Sequence, residues 1–253
     1  MDASGCGRSV LSRVTEPKGT MLEGMGLEYH VRASGGRLAP DELQFLLGSK
    51  WMPHGYGWIF PMESFYKVGV AEYIGSGRHE GSLKPFIENI LKSHCMIEDY
   101  QLLDAHGGRF RYCRGRNLPH YFKHIVGIGD SVSTVNPLGW EGIVHAMRSA
   151  RAAAPYIRKY LVGKRGAFSA YEREMRRTYD QKWEMSRRFA GFVYLKAGDE
   201  LIDEGLKKIS VLPFDTILDV LFRYDFRALF HFVTLALRRN FIKYLVKFWR
   251  LWF

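Results

Sequence analysis

The chain lacks several devices whose absence narrows what it can do. It holds no Gly-x-Gly-x-x-Gly turn, the glycine pattern by which a strand and a following helix seat a dinucleotide's pyrophosphate, so no complete unit of that kind lies within its 253 residues. Its three cysteines, Cys6, Cys95 and Cys113, are odd in number and widely spaced with no Cys-x-x-Cys pair, which argues against a disulfide framework and a zinc ribbon. The simplest reading is reduced thiols in a cytoplasmic protein. The histidines at 54, 106, 120, 124 and 145 show no metal-ligand spacing, so no metal site is expected from them. No signal peptide opens the chain. No uncharged apolar run approaches the ~20 residues needed to cross a bilayer. Beyond Asp225 there is no acidic residue at all.

What is present is a chain 47% apolar, enough to bury a sizeable core in one or two domains, with a formal charge of +11 and a pI near 9.6. Such a balance calls for an acidic partner: nucleic acid, an anionic membrane face or a phosphorylated ligand. The segment Arg109-Phe-Arg-Tyr-Cys-Arg-Gly-Arg116 has the basic and aromatic mix of a nucleic-acid contact, but no recognised nucleic-acid motif accompanies it. Solvated charge or pairing with cofactor phosphates accounts for it more simply, and nucleic acid is not expected as a partner.

The most informative stretch runs from Ile125 to Ile143, Ile-Val-Gly-Ile-Gly-Asp-Ser-Val-Ser-Thr-Val-Asn-Pro-Leu-Gly-Trp-Glu-Gly-Ile. Ile125, Val126 and Ile128 form an apolar run fit for a buried strand that ends at Asp130. From Gly142 the positions Ile143, Ala146, Met147, Ala150 and Ala154 recur at helical spacing, so a helix N-terminus points back at the strand end. Strand, acid, glycine-rich turn and helix start form an anion-binding layout, because unpaired N–H groups and the positive end of the helix dipole face the turn. Taken by itself, the pattern also fits an ordinary strand-to-helix corner.

Before that stretch, residues 2 to 13 read as a turn and a short helix start, and residues 25 to 113 mostly as strands. Leu27 to Val31 alternates, and Gly57 to Tyr73 is rich in aromatic and β-branched residues. Leu83 to Cys95 reads as a helix with a first-turn proline, Pro85, and Tyr100 to Leu103 and Gly108 to Cys113 as two further strands. After Gly166 the pattern turns helical, with Tyr171 to Leu195, Leu201 to Ile209 and a last region from Phe214 to Phe253. That last region sets Arg227, Arg238, Arg239, Lys243, Lys247 and Arg250 among Phe, Leu, Val and Trp, the make-up of a basic helix lying on a membrane surface. A helix packed on its own protein with a solvated basic face is the other reading.

Three motifs in order carry a resemblance. Asp2-Ala3-Ser4-Gly5 is similar to the Asp-Ala-Ser-Gly turn of the geranylgeranyl reductase family. Tyr56-Gly57-Trp58-Ile59-Phe60-Pro61, followed by Gly69-Val70-Ala71, resembles that family's Tyr-x-Trp-x-Phe-Pro signature with its later glycine pair. The stretch from Gly129 resembles its Gly-Asp-Ala-Ala-Gly, Asn-Pro and Gly-Glu-Gly-Ile flavin motif. Trp140 and Ser133 stand where the family has glycine, and Ala71 where it has the second glycine of a pair. The motifs cover about the first 160 residues, and the remainder matches none.

The resemblance implies the carboxy-terminal portion of an FAD-dependent reductase that saturates carbon–carbon double bonds of geranylgeranyl chains in lipids or pigments. It implies an α+β chain, the remnant of a FAD/NAD(P)-binding fold of the p-hydroxybenzoate hydroxylase type, with an antiparallel substrate-binding sheet and a helical carboxy-terminal region. Its expected divisions are 1–24 (residual FAD-binding part), 25–118 (substrate sheet), 119–163 (returning FAD-binding strand and helix) and 164–253 (helices with the basic amphipathic end). At the cofactor it implies Asp130 on the ribityl chain, Asn136, Pro137, Gly139, Glu141, Gly142 and Ile143 around the ring, and Asp2 and Gly5 in the preceding turn. For the substrate it implies Tyr56, Trp58, Phe60, Pro61 and Gly69. Tyr56, Trp58 and Phe60 alternate, so on a strand they share one face and could line an apolar slot, though such a stripe alone is as ordinary in a core. The catalytic acid is left unknown, with Tyr56 and Glu141 as candidates. The implied partners are a prenyl lipid, a reduced donor such as NAD(P)H or ferredoxin, a membrane surface on which the cytoplasmic protein sits peripherally, and a missing amino-terminal half. Two alternatives stay open: a related flavoprotein of other chemistry (monooxygenase, halogenase or carotenoid cyclase), and a truncated remnant that binds lipid or a partner without catalysis.

Overall fold

A twelve-residue strand, β1 (Met21–Arg32), is the centre of the architecture, because it pairs antiparallel on both sides. The computed structural model of the protein describes residues 1–17, 21–74, 81–113 and 118–227. With β2 (Gln44–Leu47), β3 (Gly55–Pro61), β4 (Tyr66–Ile74) and β5 (Gln101–Cys113), β1 forms a five-stranded sheet of order β2-β3-β4-β1-β5.

One face of the sheet is the core. Tyr29, Val31, Ile59, Val68 and Val70 point to it and bury themselves against Ile87 of helix α1 (Lys84–Asn89) and against Ile90 and Leu91 in the wider turn, Ile90–His94, that continues it. Pro85 opens α1 where a missing N–H costs nothing. Each fully buried Ile or Leu here is worth about 1.5–3 kcal/mol.

The other face is built from cross-strand rows, since directly paired residues of antiparallel strands share a face. Tyr56, Ala71, Gly26 and Gly108 form one row, Trp58, Gly69, Glu28 and His106 the next, and Phe60, Lys67, His30 and Asp104 the third. On the opposite side of the first row, Tyr73, Gly24 and Phe110 form a fourth. Two aromatics lie over glycines of the neighbouring strand: a Cβ on Gly69 would stand 2.3 Å from the Trp58 ring, and one on Gly24 would stand 1.9 Å from the Phe110 ring. The expected separate strands at 100–103 and 108–113 are one continuous β5, because Gly107 and Gly108 stay in register with Leu27 and Gly26. Strand β2 and the first residues of β1 went unread in the sequence.

The amino-terminal turn and the 125–143 stretch fold together. Strands β6 (Tyr121–Phe122) and β7 (Ile125–Val126) pair, and Asp2 bridges in parallel to Gly127, its N–H donating to the Val126 carbonyl at 2.8 Å. The strand is shorter than the sequence suggested, because Gly129 takes a φ of 63° and turns Asp130 into a short 3-10 turn, Gly129–Val132. Buried Arg8 donates to the Ser131 carbonyl at 2.7 Å and the Pro119 carbonyl at 3.2 Å, locking the first turn onto this loop.

Helix α2 (Ile143–Leu161) starts at Gly142 as its spacing foretold, and α3 (Ala167–Leu195) returns antiparallel after Gly163, packing Trp183 edge-on against His145 at 4.7 Å. Helices α4 (Asp199–Ile209) and α5 (Phe214–Leu221) follow. Residues 1–204 make one compact unit and 205–253 a second. The basic amphipathic segment read in the sequence falls mainly on residues 228–253, outside the described residues. Among the described residues no helix is long and apolar enough to cross a membrane.

Two predictions concern stability. Gly69→Val forces the Trp58 ring and the Leu27 carbonyl aside and lowers stability by about 1–3 kcal/mol or more, whereas Gly108→Ala, with nothing within 4 Å of the new carbon, stays within about 0.5 kcal/mol of the parent; urea denaturation of both variants checks this. His120 is held neutral, its pKa pushed down from 6.5 to about 3, first by burial and then by Arg176 and Arg8. The unfolded chain therefore binds the extra proton between those values, and this contribution to stability is complete above about pH 6.5 and is lost as pH falls towards 3. His120→Phe is expected to lose less stability than the parent between neutral pH and pH 4, read from denaturation midpoints.

Candidate functional site

The glycine-rich face of the sheet and the start of α2 enclose a cleft of about 650 Å³. Its floor is Gly26, Gly107 and Gly108, where the strands offer backbone alone. Trp58, Glu28 and His106 border one side, and Phe110 and Trp140, with ring centroids 4.2 Å apart, the other. Across from the floor stand Ala3 and Gly5 of the first turn, Gly129 and Asp130, and Gly142, Ile143 and Ala146 of α2.

The Gly129–Asp130 turn is fastened to the helix it faces. The Gly129 N–H donates to Ser149 Oγ at 2.7 Å, and a Cβ on Gly129 would come within 3.2 Å of Ala146. A Cβ on Gly142 would stand 3.3 Å from both Asp130 carboxylate oxygens, so that carboxylate lies at the mouth of α2. Burial pushes the Asp130 pKa up, while Thr134 and the Val135 backbone act against it. An acid half withdrawn from water beside a helix N-terminus is suited to hydrogen-bonding a hydroxyl-bearing ligand.

The loop beyond it is shaped by Asn136. Its Oδ1 accepts from the N–H groups of Leu138 (2.8 Å) and Gly139 (3.3 Å), its Nδ2 donates to Ser186 Oγ (2.9 Å), and its own N–H donates to the Glu141 carbonyl (2.9 Å). Two tyrosines clamp the loop from outside: Tyr56 donates to the Gly139 carbonyl at 2.7 Å and Tyr194 to that of Leu138 at 2.9 Å. Trp140 is held at a φ of 50°, in the left-handed region, with its ring against Phe110. The indole that replaces the family's glycine is thus a wall of the cleft.

Of the residues singled out in the sequence, Gly5, Trp58, Asp130, Gly142 and Ile143 reach the cleft. The others stand behind it. The buried Asp2 carboxylate accepts from Ser4 N–H, Ser4 Oγ and the N–H groups of Val10 and Leu11, so it holds the turn that carries Ala3 and Gly5. Asn136, Pro137 and Gly139 form the clamped loop. Glu141 accepts from the Val144 N–H at 2.8 Å and lies 3.0 Å from His145 Nε2, which commits it to the first turn of α2. Tyr56, Trp58 and Phe60 do share a face, their rings 5.7 and 6.3 Å apart in sequence, but only Trp58 of the three enters the cleft; Pro61 and Gly69 do not. As acid candidates Tyr56 and Glu141 are both occupied, and burial pushes the Tyr56 phenol far above its ordinary value. Gly26, Gly107 and Gly108 were missed, although glycines inside strand-forming stretches are the sign of a close approach. The histidines at 54, 106, 120, 124 and 145 show no metal-ligand spacing along the sequence, but the fold places one possible ligand atom each of Glu28, His30 and His106 within 4.8 Å of one another. Strand pairing, not sequence spacing, assembles them. Of the basic segment, Arg109 lines the cleft and Arg111 pairs with Glu23 at 2.8 Å; residues 114–117 lie outside the described residues.

One consequence of this wall can be measured without any ligand. Trp140→Gly removes the indole from Phe110 and relieves its left-handed backbone, and is expected to enlarge the cleft while leaving the fold intact, seen as an unchanged far-ultraviolet dichroism with faster quenching of the remaining tryptophans by acrylamide.

No family model matches the chain. It is 30% identical over 212 residues, 76% of its length, to the digeranylgeranylglycerophospholipid reductase of Haloferax volcanii, and covers 50% of that protein. In structure it is similar to a geranylgeranyl bacteriochlorophyll reductase-like protein from Thermoplasma acidophilum, with a TM-score of 0.74 at 19% identity over 89% of this chain and 57% of that one. It is also similar to a flavin-dependent brominase, with a TM-score of 0.57 at 19% identity over 81% of this chain and 55% of the other. The structural likenesses show the fold, an α+β arrangement of antiparallel sheet and helices. The chain spans about half the length of the curated relatives it matches. Over the segment it has in common with them, it belongs to the geranylgeranyl reductase family.

Proposed function

We propose that the chain is the substrate-binding and carboxy-terminal part of an FAD-dependent reductase that saturates carbon–carbon double bonds in the prenyl chains of a membrane lipid. The observation that carries this reading is the cleft, where a glycine floor on the sheet faces the Asp130 carboxylate and the start of α2. These residues fit a flavin: the floor admits a flat ring close to backbone, Asp130 would accept from a sugar hydroxyl, and the α2 N-terminus would favour negative charge. Ala3, Gly5, Asp130, Gly142 and Ile143 would hold the group, which when bound and reduced supplies hydride. Trp58 and Phe110 then offer the apolar surface for a prenyl chain, and Trp140 limits its girth.

The relatives' names supply the substrate class, a digeranylgeranyl glycerophospholipid. A separate dinucleotide-binding unit of the Gly-x-Gly-x-x-Gly type is proposed to complete the site, supported by the lack of that turn here and by the half-length match to the relatives. Ile143 (78% exposed) and Met147 (69%) at the start of α2 offer it apolar surface. NAD(P)H or ferredoxin is proposed as the electron source. Peripheral attachment to a membrane from the cytoplasmic side, through the basic residues after Asp225, rests on the sequence.

The test is incubation of the chain, combined with the dinucleotide-binding half of a relative, with FAD, dithionite and a digeranylgeranyl glycerophospholipid, and analysis of the lipid by mass spectrometry. The expected product has gained two hydrogens for each double bond reduced. Oxygenated or halogenated lipid would instead move the chain to the chemistry of its flavin-dependent structural neighbours, and unaltered lipid in the presence of bound flavin would contradict the reading. In the same assay Asp130→Asn is expected to weaken FAD retention by tenfold or more, in line with about 1.5–3 kcal/mol for a hydrogen bond to a charged group.

A further inference from the structure

Two short sequences, Glu28-x-His30 on β1 and Asp104-x-His106 on β5, face each other in antiparallel register, Glu28 opposite His106 and His30 opposite Asp104. All four side chains therefore stand on the cleft face of the sheet. His30 Nε2 lies 3.1 Å and His106 Nε2 3.3 Å from the same oxygen, Glu28 Oε1. We propose that Glu28, His30 and His106 form a binding site for a divalent transition ion of the zinc type, with its open position facing the cleft. This inference does not depend on the reductase reading.

The spacing between the carboxylate and each imidazole suits the ion. Ligand atoms about 2.0–2.1 Å from a tetrahedral zinc stand roughly 3.3–3.4 Å from one another, close to the two separations seen here. The groups behind the ligands are arranged as at metal centres, where a histidine that binds through one nitrogen gives the other to a carboxylate. His106 Nδ1 is 3.2 Å and His30 Nδ1 3.9 Å from Asp104 Oδ2, so both rings turn their Nε2 atoms towards Glu28. Trp58 Nε1 donates to Glu28 Oε2 at 2.9 Å, which leaves Oε1 as the ligand. Burial raises the Glu28 pKa, but the hydrogen bonds from Trp58 and His30 and the charge of Lys67 outweigh it and hold the carboxyl ionised. Glu28 and His106 both line the cleft, so three protein ligands would leave a fourth position for water or an anionic oxygen entering from it.

One group opposes the ion. Lys67 Nζ lies 3.6 Å from Glu28 Oε1, and its ammonium competes for that oxygen. Lys67 is directly paired with His30 on β4 and a third exposed, so it can swing into solvent when a doubly charged ion arrives. This competition gives the proposal a signature that a plain ion-pair network lacks: removing a positive charge should improve binding.

The experiment is calorimetric titration of the purified, metal-stripped chain with Zn2+ near neutral pH, repeated with Co2+ to read coordination from its visible bands. One ion per chain with the absorption of a four-coordinate nitrogen and oxygen site is expected. His30→Ala and His106→Ala should each lower affinity at least tenfold, Asp104→Ala by about 10–100-fold as for other groups behind a ligand, and Lys67→Met should raise it. Circular dichroism of each variant separates lost binding from lost fold, and the gain in Lys67→Met stands even where an alanine variant fails to fold. No binding at millimolar metal, or binding that survives the two histidine changes and ignores Lys67, would overturn the site.

Discussion

The whole arrangement depends on two aromatic rings lying flat over glycines of the next strand. Trp58 covers Gly69 and Phe110 covers Gly24, each closer than any added Cβ would allow. Large side chains that would otherwise stand up from the sheet are laid along it, and between them the row through Gly26 and Gly108 carries no side chain on β1 or β5. The result is a sheet with one face packed by aliphatic residues on α1 and another face kept low enough for a ligand to lie on it. The same low face lets the 136–141 loop descend until Trp140 meets Phe110 and the Tyr56 hydroxyl reaches the Gly139 carbonyl.

A second constraint positions what faces the sheet. Asp2, Arg8, Ser131 and Ser149 tie three separate pieces of chain, the first turn, the Gly129–Val132 turn and α2, into one rigid wall through buried hydrogen bonds. Leaving any of these groups unpaired costs about 1–3 kcal/mol, which is why polar residues are retained there. The wall brings Asp130 and the N-terminal end of α2 over the glycine floor, and that juxtaposition is the basis of the proposed flavin site.

Much of this was legible in the sequence, and the reasons for the remainder are specific. Helices α1, α2 and α3 showed themselves through proline, glycine and 3.6-residue spacing, all local signals. The motifs at Asp2, Tyr56 and Asp130 fall on the segments that build the cleft, and they include residues that line it and residues that stand behind it, because a motif records both. Tyr56, Asn136 and Glu141 stand behind the cleft and hydrogen-bond the 136–141 loop and the start of α2. The glycine floor and the Glu28, His30, Asp104 and His106 square went unread because they arise from the register of β1 with β5, a pairing across more than seventy residues. A search for x-Glu-x-His-x and x-Asp-x-His-x on alternating stretches could have suggested the square, but only the register joins its halves.

The claim on which everything else rests is that this chain carries the flavin-ring half of the site. The direct measurement is a visible difference spectrum of the purified chain titrated with FAD, alongside the Gly26→Val variant, which places a bulky side chain in the middle of the cleft floor. The account predicts a saturable shift of the flavin bands with the parent chain and its loss in Gly26→Val. Flavin bands that stay those of free FAD at every protein concentration, or that shift equally with both proteins, would contradict it.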